Sequence, residues 1–312
     1  MKRFQCSCGA PIFFDNHQCL RCGARVGFDP ESMSMVPVEH HADLVYCGNQ
    51  EHGVCNWLRP SELEHDLCRA CQFNRTIPNL SLPFNTERWA ALERAKKRLF
   101  YSLYQLSLPM TDGWQSGDDG LFFDFLDDVR TQPDAYPDTF VTSGFAKGVI
   151  TINVLEADDV ARTVAQTELR ERYRTLLGHF RHESGHYYWS LLSGDGMATS
   201  LFAEVFGDAN IEYRSSLDVY YREGPPADWE QRYISAYASS HPLEDWAETW
   251  SHYLLMHDAL ETAHAYHLID TAPALSALAE RISQWQALSV GLNEMNLSLG
   301  REDAYPFVIS PQ

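Results

Sequence analysis

The sequence predicts an α+β chain, mostly helical with a small mixed sheet, preceded by a short cysteine-rich region stapled by metal. Three observations carry this expectation. All 8 cysteines fall before residue 72. Alternating apolar residues, the mark of strands, cluster between residues 121 and 154. The rest is dominated by stretches with apolar residues at helical spacing.

The cysteines form two quartets. The first is Cys6, Cys8, Cys19 and Cys22, two close-spaced pairs separated by a loop. A tetrahedral zinc site with four thiolates needs this spacing, each pair turning so that its sulfurs converge. Gly9 and Gly23 follow the pairs and suit tight turns with positive φ. Phe4, Ile12, Phe13, Phe14 and Val26 are the expected mini-core. So short a segment buries too little apolar surface to fold unaided, and the metal supplies folding energy. Cys47, Cys55, Cys68 and Cys71 make the second quartet, with a looser first pair; His52 and His65 lie close enough in sequence to substitute. Both quartets read as closed structural zinc sites in a ribbon region spanning residues 1–82. Pro78 and Pro83 interrupt Thr76–Phe84, placing the boundary there, and residues 83–312 form the second domain.

Asn85 or Thr86 starts a helix reaching about Leu106, with Trp89, Leu92, Ala95, Leu99 and Leu103 near helical spacing. Its basic run, Arg94, Lys96, Lys97 and Arg98, reads as a solvated face. Leu121–Leu126 reads as a strand and Phe140–Val154 as a hairpin, an arrangement in which an edge strand binds extended peptide. Residues 197–240 are largely helical. Pro242 fits the first turn of a further helix, and an amphipathic helix follows over about Ala274–Val290.

Hydrophobic content of 45% and charged content of 21% describe a globular protein. The formal charge of −19 is uneven: residues 1–82 carry 7 Lys/Arg against 9 Asp/Glu, and the remainder 17 against 34. That acidic surface repels phosphate backbones and anionic lipid, so neither nucleic acid nor membrane is an expected partner. Met1–Ala10 lacks the apolar run of a signal peptide, no stretch approaches a membrane span, and clustered cysteines fit a reducing compartment; a cytoplasmic location is expected.

The chemistry concentrates in His182-Glu183-Ser184-Gly185-His186. On a helix, residues four apart share a face, so both imidazoles can bind one catalytic Zn²⁺ while Glu183, a step round the helix, serves as general base. The run from Ala161 to Leu177 has no Gly or Pro and is compatible with helix. The alternative is an ordinary amphipathic helix with half-buried histidines. A catalytic zinc takes three protein ligands, and the candidates for the third are Glu204, Asp208, His241, Glu244, Glu248 and His252. Glu244 is favoured, because Glu248 one turn on would supply the carboxylate that fixes the tautomer of His182 or His186. Glu244 as a mere helix cap, or Glu204 or Asp208 as ligand, are the rivals.

With Glu244-x3-Glu248, the His-Glu motif resembles the gluzincin pattern. The strings Tyr173–Trp189 and Ala238–Leu254, with the quartets and the Tyr305-Pro306-Phe307 end, resemble the bacterial zinc-binding metallopeptidase family that carries an N-terminal zinc ribbon. The likeness covers almost the whole chain. It implies a zincin-like peptidase domain acting on peptide or protein, without naming the substrate. Some gluzincins carry a transition-state tyrosine seven residues before the ligand Glu, which points to Tyr237; Tyr233, Tyr187 and Tyr188 compete. The rival functions are a non-catalytic zinc scaffold recruiting a protein partner through its ribbons, a ribbon-led nucleic-acid binder, which the charge opposes, and an amidase of the same zinc chemistry.

Overall fold

The computed structural model describes the chain except for residues 118–119, 135, 137, 139, 170–174, 308 and 310–312, and the side chains of residues 165–169. It is α+β, and it divides into two compact units, Lys2–Leu169 and Arg170–Gln312. The compact units part at residue 169, and the change of composition near residue 82 falls within the first of them. The reason lies in the sheet and the first long helix of the first unit.

That unit begins with three two-stranded antiparallel ribbons: β1 (Phe4–Gln5) with β2 (Pro11–Ile12), β3 (Val26–Asp29) with β4 (Ser34–Pro37), and β5 (Leu44–Tyr46) with β6 (Leu58–Pro60). Phe4, Ile12, Phe14 and Val26 are buried as expected, whereas Phe13 is 59% exposed, because successive side chains of extended backbone point to opposite sides. Strand β7 (Asn74–Thr76) then leaves the cysteine-rich region and pairs elsewhere. Helix α1 (Asn85–Gln105) follows, then α2 (Gly113–Ser116), strands β8 (Phe122–Leu126), β9 (Gly144–Ala146) and β10 (Val149–Asn153), and α3 (Asp159–Leu169). The sheet order is β7-β8-β10-β9, with β8 parallel to β7 and β10, and β9 antiparallel to β10 at the edge. Lys147 and Gly148, with φ of 49° and 75°, make the two-residue turn between β9 and β10 that matches strand twist.

Helix α1 binds ribbons and sheet together. Tyr101 meets Phe14 and Phe28 at ring separations of 5.6 and 6.0 Å, and Phe100 meets Phe123 of β8 at 5.8 Å. The basic run of this helix is the expected solvated face only in part: Arg94 is exposed and Arg98 partly exposed, but the two lysines are not. Lys96 and Lys97 are buried. Lys96 Nζ lies 3.1 Å and Lys97 Nζ 4.0 Å from the wholly buried carboxylate of Glu93, and Lys97 also donates to the Val54 carbonyl at 2.7 Å. Glu93 accepts further bonds from Asn74 and Trp89. Buried charge persists here because the two ammonium groups share one carboxylate and each also donates to a neutral oxygen, Lys96 to Asn74 Oδ1 and Lys97 to the Val54 carbonyl.

The second unit holds α4 (Leu176–Leu192), α5 (Gly196–Val205), α6 (Tyr213–Glu223), α7 (Trp229–Arg232), α8 (Pro242–Ala265) and α9 (Leu278–Ser298). The expected run from Ala161 to Leu177 crosses residues 170–174, outside the described residues; α4 itself starts at Leu176, with the Thr175 hydroxyl accepting from the Gly178 amide at 2.9 Å. Pro242 occupies the first turn of α8, as predicted. The last helix begins at Leu278, later than expected, because Pro273–Leu275 forms a separate 3₁₀ turn. Met256, Leu260, Trp285 and Tyr305 make the core between α8, α9 and the C-terminal segment. Among the described residues no helix is long and apolar enough to cross a membrane.

Candidate metal centre

Helices α4 and α8 meet at two small residues. Gly185 on α4 lies so close to Ala247 on α8 that a Cβ there would sit 3.0 Å from the Ala247 Cα. Around this contact Trp246 Nε1 donates to the Gly185 carbonyl at 2.8 Å, and Trp250 Nε1 to the Ser184 hydroxyl at 3.0 Å. The crossing fixes α8 so that Glu244 and Glu248 face the two imidazoles of α4.

His182, His186 and Glu244 come together, their candidate ligand atoms all within 4.8 Å of one another. His182 Nε2 is 3.0 Å from Glu244 Oε2, and His186 Nε2 is 3.4 Å from Glu244 Oε1. Zinc–nitrogen and zinc–oxygen bonds of about 2.0–2.2 Å at tetrahedral angles put neighbouring ligand atoms about 3.3–3.5 Å apart. The donor set has the chemistry that holds zinc, and its separations of 3.0 and 3.4 Å lie near that spacing.

The surroundings orient these donors. His182 Nδ1 is 2.7 Å from Glu248 Oε1, and Glu248 Oε2 accepts from the Ser235 hydroxyl at 2.6 Å, which in turn accepts from the Ala238 amide. An ionised carboxylate only accepts, so Nδ1 donates to Glu248, and a metal bound at Nε2 would take the place of the proton that Glu244 draws there. Tyr213 donates to Glu244 Oε1 at 2.6 Å. Burial alone would depress the pKa of His182; hydrogen bonds to Glu244 and Glu248 outweigh it and hold it well above its ordinary value. Burial likewise opposes ionisation of Glu244, and the two histidines overcome it, keeping that carboxyl well below the usual range.

Glu183 is buried beside this set. Its Oε1 is 3.0 Å from His179 Nε2, and its Oε2 has no hydrogen-bond partner among the described residues. Burial works against its charge, but the His179 hydrogen bond and the imidazoles of His179, His182 and His186 prevail and hold its pKa below the ordinary value. Tyr237 lies against His182 with ring centroids 6.0 Å apart, and burial raises its pKa strongly. Its competitors Tyr187 and Tyr188 are buried, Tyr188 packed on Trp250 at 4.7 Å.

The rival third ligands lie elsewhere. His241 caps α8, its Nδ1 accepting from the Leu243 amide, so Glu244 is not that cap. His252 Nδ1 pairs with the Tyr305 hydroxyl at 2.9 Å. Glu204 and Asp208 are exposed, and Asp208 accepts from the Asn210 amide. Sequence reasoning passed over His179 and Tyr213. His179 stands four residues before Glu183 on one helix and could have been found by that spacing; Tyr213 comes from another helix and left no local signal.

Each cysteine quartet also converges. In the first, Cys6–Cys22 and Cys8–Cys19 sulfurs are 3.6 and 3.7 Å apart; in the second, Cys55 lies 3.8 Å from both Cys68 and Cys71. Zinc–sulfur bonds of about 2.3 Å at tetrahedral angles require about 3.8 Å. Gly9 and Gly23 take φ of 79° and 77°, the turns expected of them.

A family model described as "Putative zinc-binding metallo-peptidase" matches residues 85–312, and a zinc-ribbon domain model matches residues 3–82. An uncharacterized protein of Mycobacterium bovis and one of Mycobacterium tuberculosis are each 40% identical over 318 residues, covering 99% of this chain and 91% of the relative. No solved structure matches the chain.

Proposed function

The chain belongs to the zinc-binding metallopeptidase family, and from that premise we propose that it hydrolyses peptide bonds at the His182–His186–Glu244 cluster. The observation that carries the reading is the bare, buried Oε2 of Glu183 next to three converging metal donors. Zinc held there would supply a Lewis acid for a substrate carbonyl and would acidify water.

Glu183 then does the proton work. Its Oε2 takes a proton from the water that attacks the carbonyl carbon, and later returns it to the leaving amine nitrogen as the C–N bond breaks. Burial raises the proton affinity of this carboxylate, and the His179 contact favours its ionised form, so it can serve as a base. Tyr237, against His182, is the proposed hydroxyl donor to the oxyanion that develops on the carbonyl. Glu248 and Ser235 hold His182 in one tautomer throughout. The cysteine quartets each commit four thiolates to one ion, so we assign them two structural zincs and a role in support or protein contact.

Glu183→Gln tests the proposal. The variant is expected to bind zinc as the unaltered protein does, by elemental analysis, and to cut nothing in a fluorogenic peptide library that the unaltered protein cleaves. Full cleavage by the variant would remove Glu183 as base. A zinc-replete unaltered protein that cuts no peptide at micromolar concentration would instead favour the scaffold.

A further inference from the structure

Helix α4 carries a third imidazole on the side that presents the base. His179 and Glu183 are four residues apart, one turn along the same face. Both are withdrawn from solvent, with side-chain exposures of 14% and 6%. A contact at 3.0 Å joins His179 Nε2 to one carboxylate oxygen, Oε1, while Oε2 is buried with no hydrogen-bond partner among the described residues. The two oxygens of this carboxylate are thus inequivalent. A glutamate has three rotatable side-chain bonds, and nothing in its own chemistry selects which oxygen faces a reactant; one fixed donor does.

We propose that His179 is the positioning residue of the base: its Nε2–H donates to Oε1 of Glu183 and reserves Oε2 for the proton taken from water. This rests on the reading of Glu183 as base given above. The arrangement serves both protonation states. With the proton on Oε2, Oε1 becomes the carbonyl oxygen of a carboxylic acid and still accepts from His179. The hydrogen bond therefore persists as the proton arrives and leaves, and no reorganisation accompanies the transfer. His179 holds its own proton throughout, so the proton balance of the reaction is unchanged.

The test uses the zinc-loaded full chain and the variants His179→Ala and His179→Gln, the second keeping an N–H where Nε2 was. On a fluorogenic peptide cut by the unaltered protein, His179→Ala is expected to lower kcat on the order of 10–100-fold, with KM and zinc content unchanged. His179→Gln is expected to restore most of that loss. Undiminished kcat in His179→Ala, a loss that Gln fails to rescue, or a fall in bound zinc would each overturn the proposal. A second readout needs no substrate. Imidazole ¹⁵N–¹H spectra are expected to show His179 as the Nε2–H form with a slowly exchanging proton that becomes fast in Glu183→Ala. If no peptide is cut, the peptidase reading fails on its own account. An Nδ1–H or freely exchanging His179 sinks the positioning role in either case.

Discussion

Adding one methyl group at Gly185 probes the joint between α4 and α8. The new carbon would lie 3.0 Å from Ala247 Cα and 3.2 and 3.3 Å from Cδ1 and Cβ of Trp250. Carbon atoms in contact rest at about 3.5–4.0 Å, so the helices must part by about 0.5 Å. Alanine favours helix over glycine by about 0.5–1 kcal/mol, whereas overpacking costs about 1–3 kcal/mol. The gain offsets only part of the cost, and Gly185→Ala is expected to fold with a stability loss of up to about 2.5 kcal/mol. The metal cluster has less tolerance. Its imidazoles ride on α4 and its carboxylate on α8, and metal–ligand distances hold to about ±0.2 Å. Zinc affinity at this cluster is therefore expected to fall on the order of 10–100-fold, and further in Gly185→Val. Competition against a graded chelator reads the affinity, with zinc in the cysteine quartets as internal reference, and urea unfolding reads the stability. Unaltered affinity in both variants would show that the helix crossing does not set the cluster.

Other expectations bear on separate parts of the chain. His186→Ala should lower zinc from three ions per chain to two by elemental analysis; an unchanged count would remove His186 from the ligand set. Glu93→Leu leaves Lys96 and Lys97 buried without their shared carboxylate and should cost about 3–5 kcal/mol in urea unfolding; a near-neutral result would mean the ammonium groups find water. Burial lowers the His252 pKa to about 4, against about 6.5 unfolded. Between those values the unfolded chain binds more protons, so stability is complete above about pH 6.5 and is lost as pH falls towards 4. Replacing His252 by Gln should flatten that slope in urea midpoints measured from pH 4 to 7, and an identical slope would reject the assignment.

Much of this was readable in the residues themselves. The helices over Asn85–Gln105 and Pro242–Ala265 begin where the sequence places them, the second with its proline in the first turn. The spacing of Glu244 and Glu248 put both on one face of α8, and the structure turns that face to His182. What resisted reading was set by distant partners. Lys96 and Lys97 look solvated because charge usually is, yet Glu93 stands three and four residues before them, the local half of a buried cluster that Asn74 completes. Strand β7 hides in a three-residue segment whose partner β8 lies more than forty residues on. Periodicity cannot report such a pairing, so the composition change near residue 82 and the compact division at residue 169 do not coincide.

The sunken ammonium groups have a practical corollary. The chain has lysine at positions 2, 96, 97 and 147 only, and burial of the middle two leaves Lys2 and Lys147 as the exposed ones. Amine-directed dyes or crosslinkers should therefore mark very few places while the native fold lasts. Lys147 stands at the tip of the β9–β10 hairpin, so a fluorophore attached there would watch the sheet margin, and the appearance of label on Lys96 or Lys97 would time the opening of the first unit.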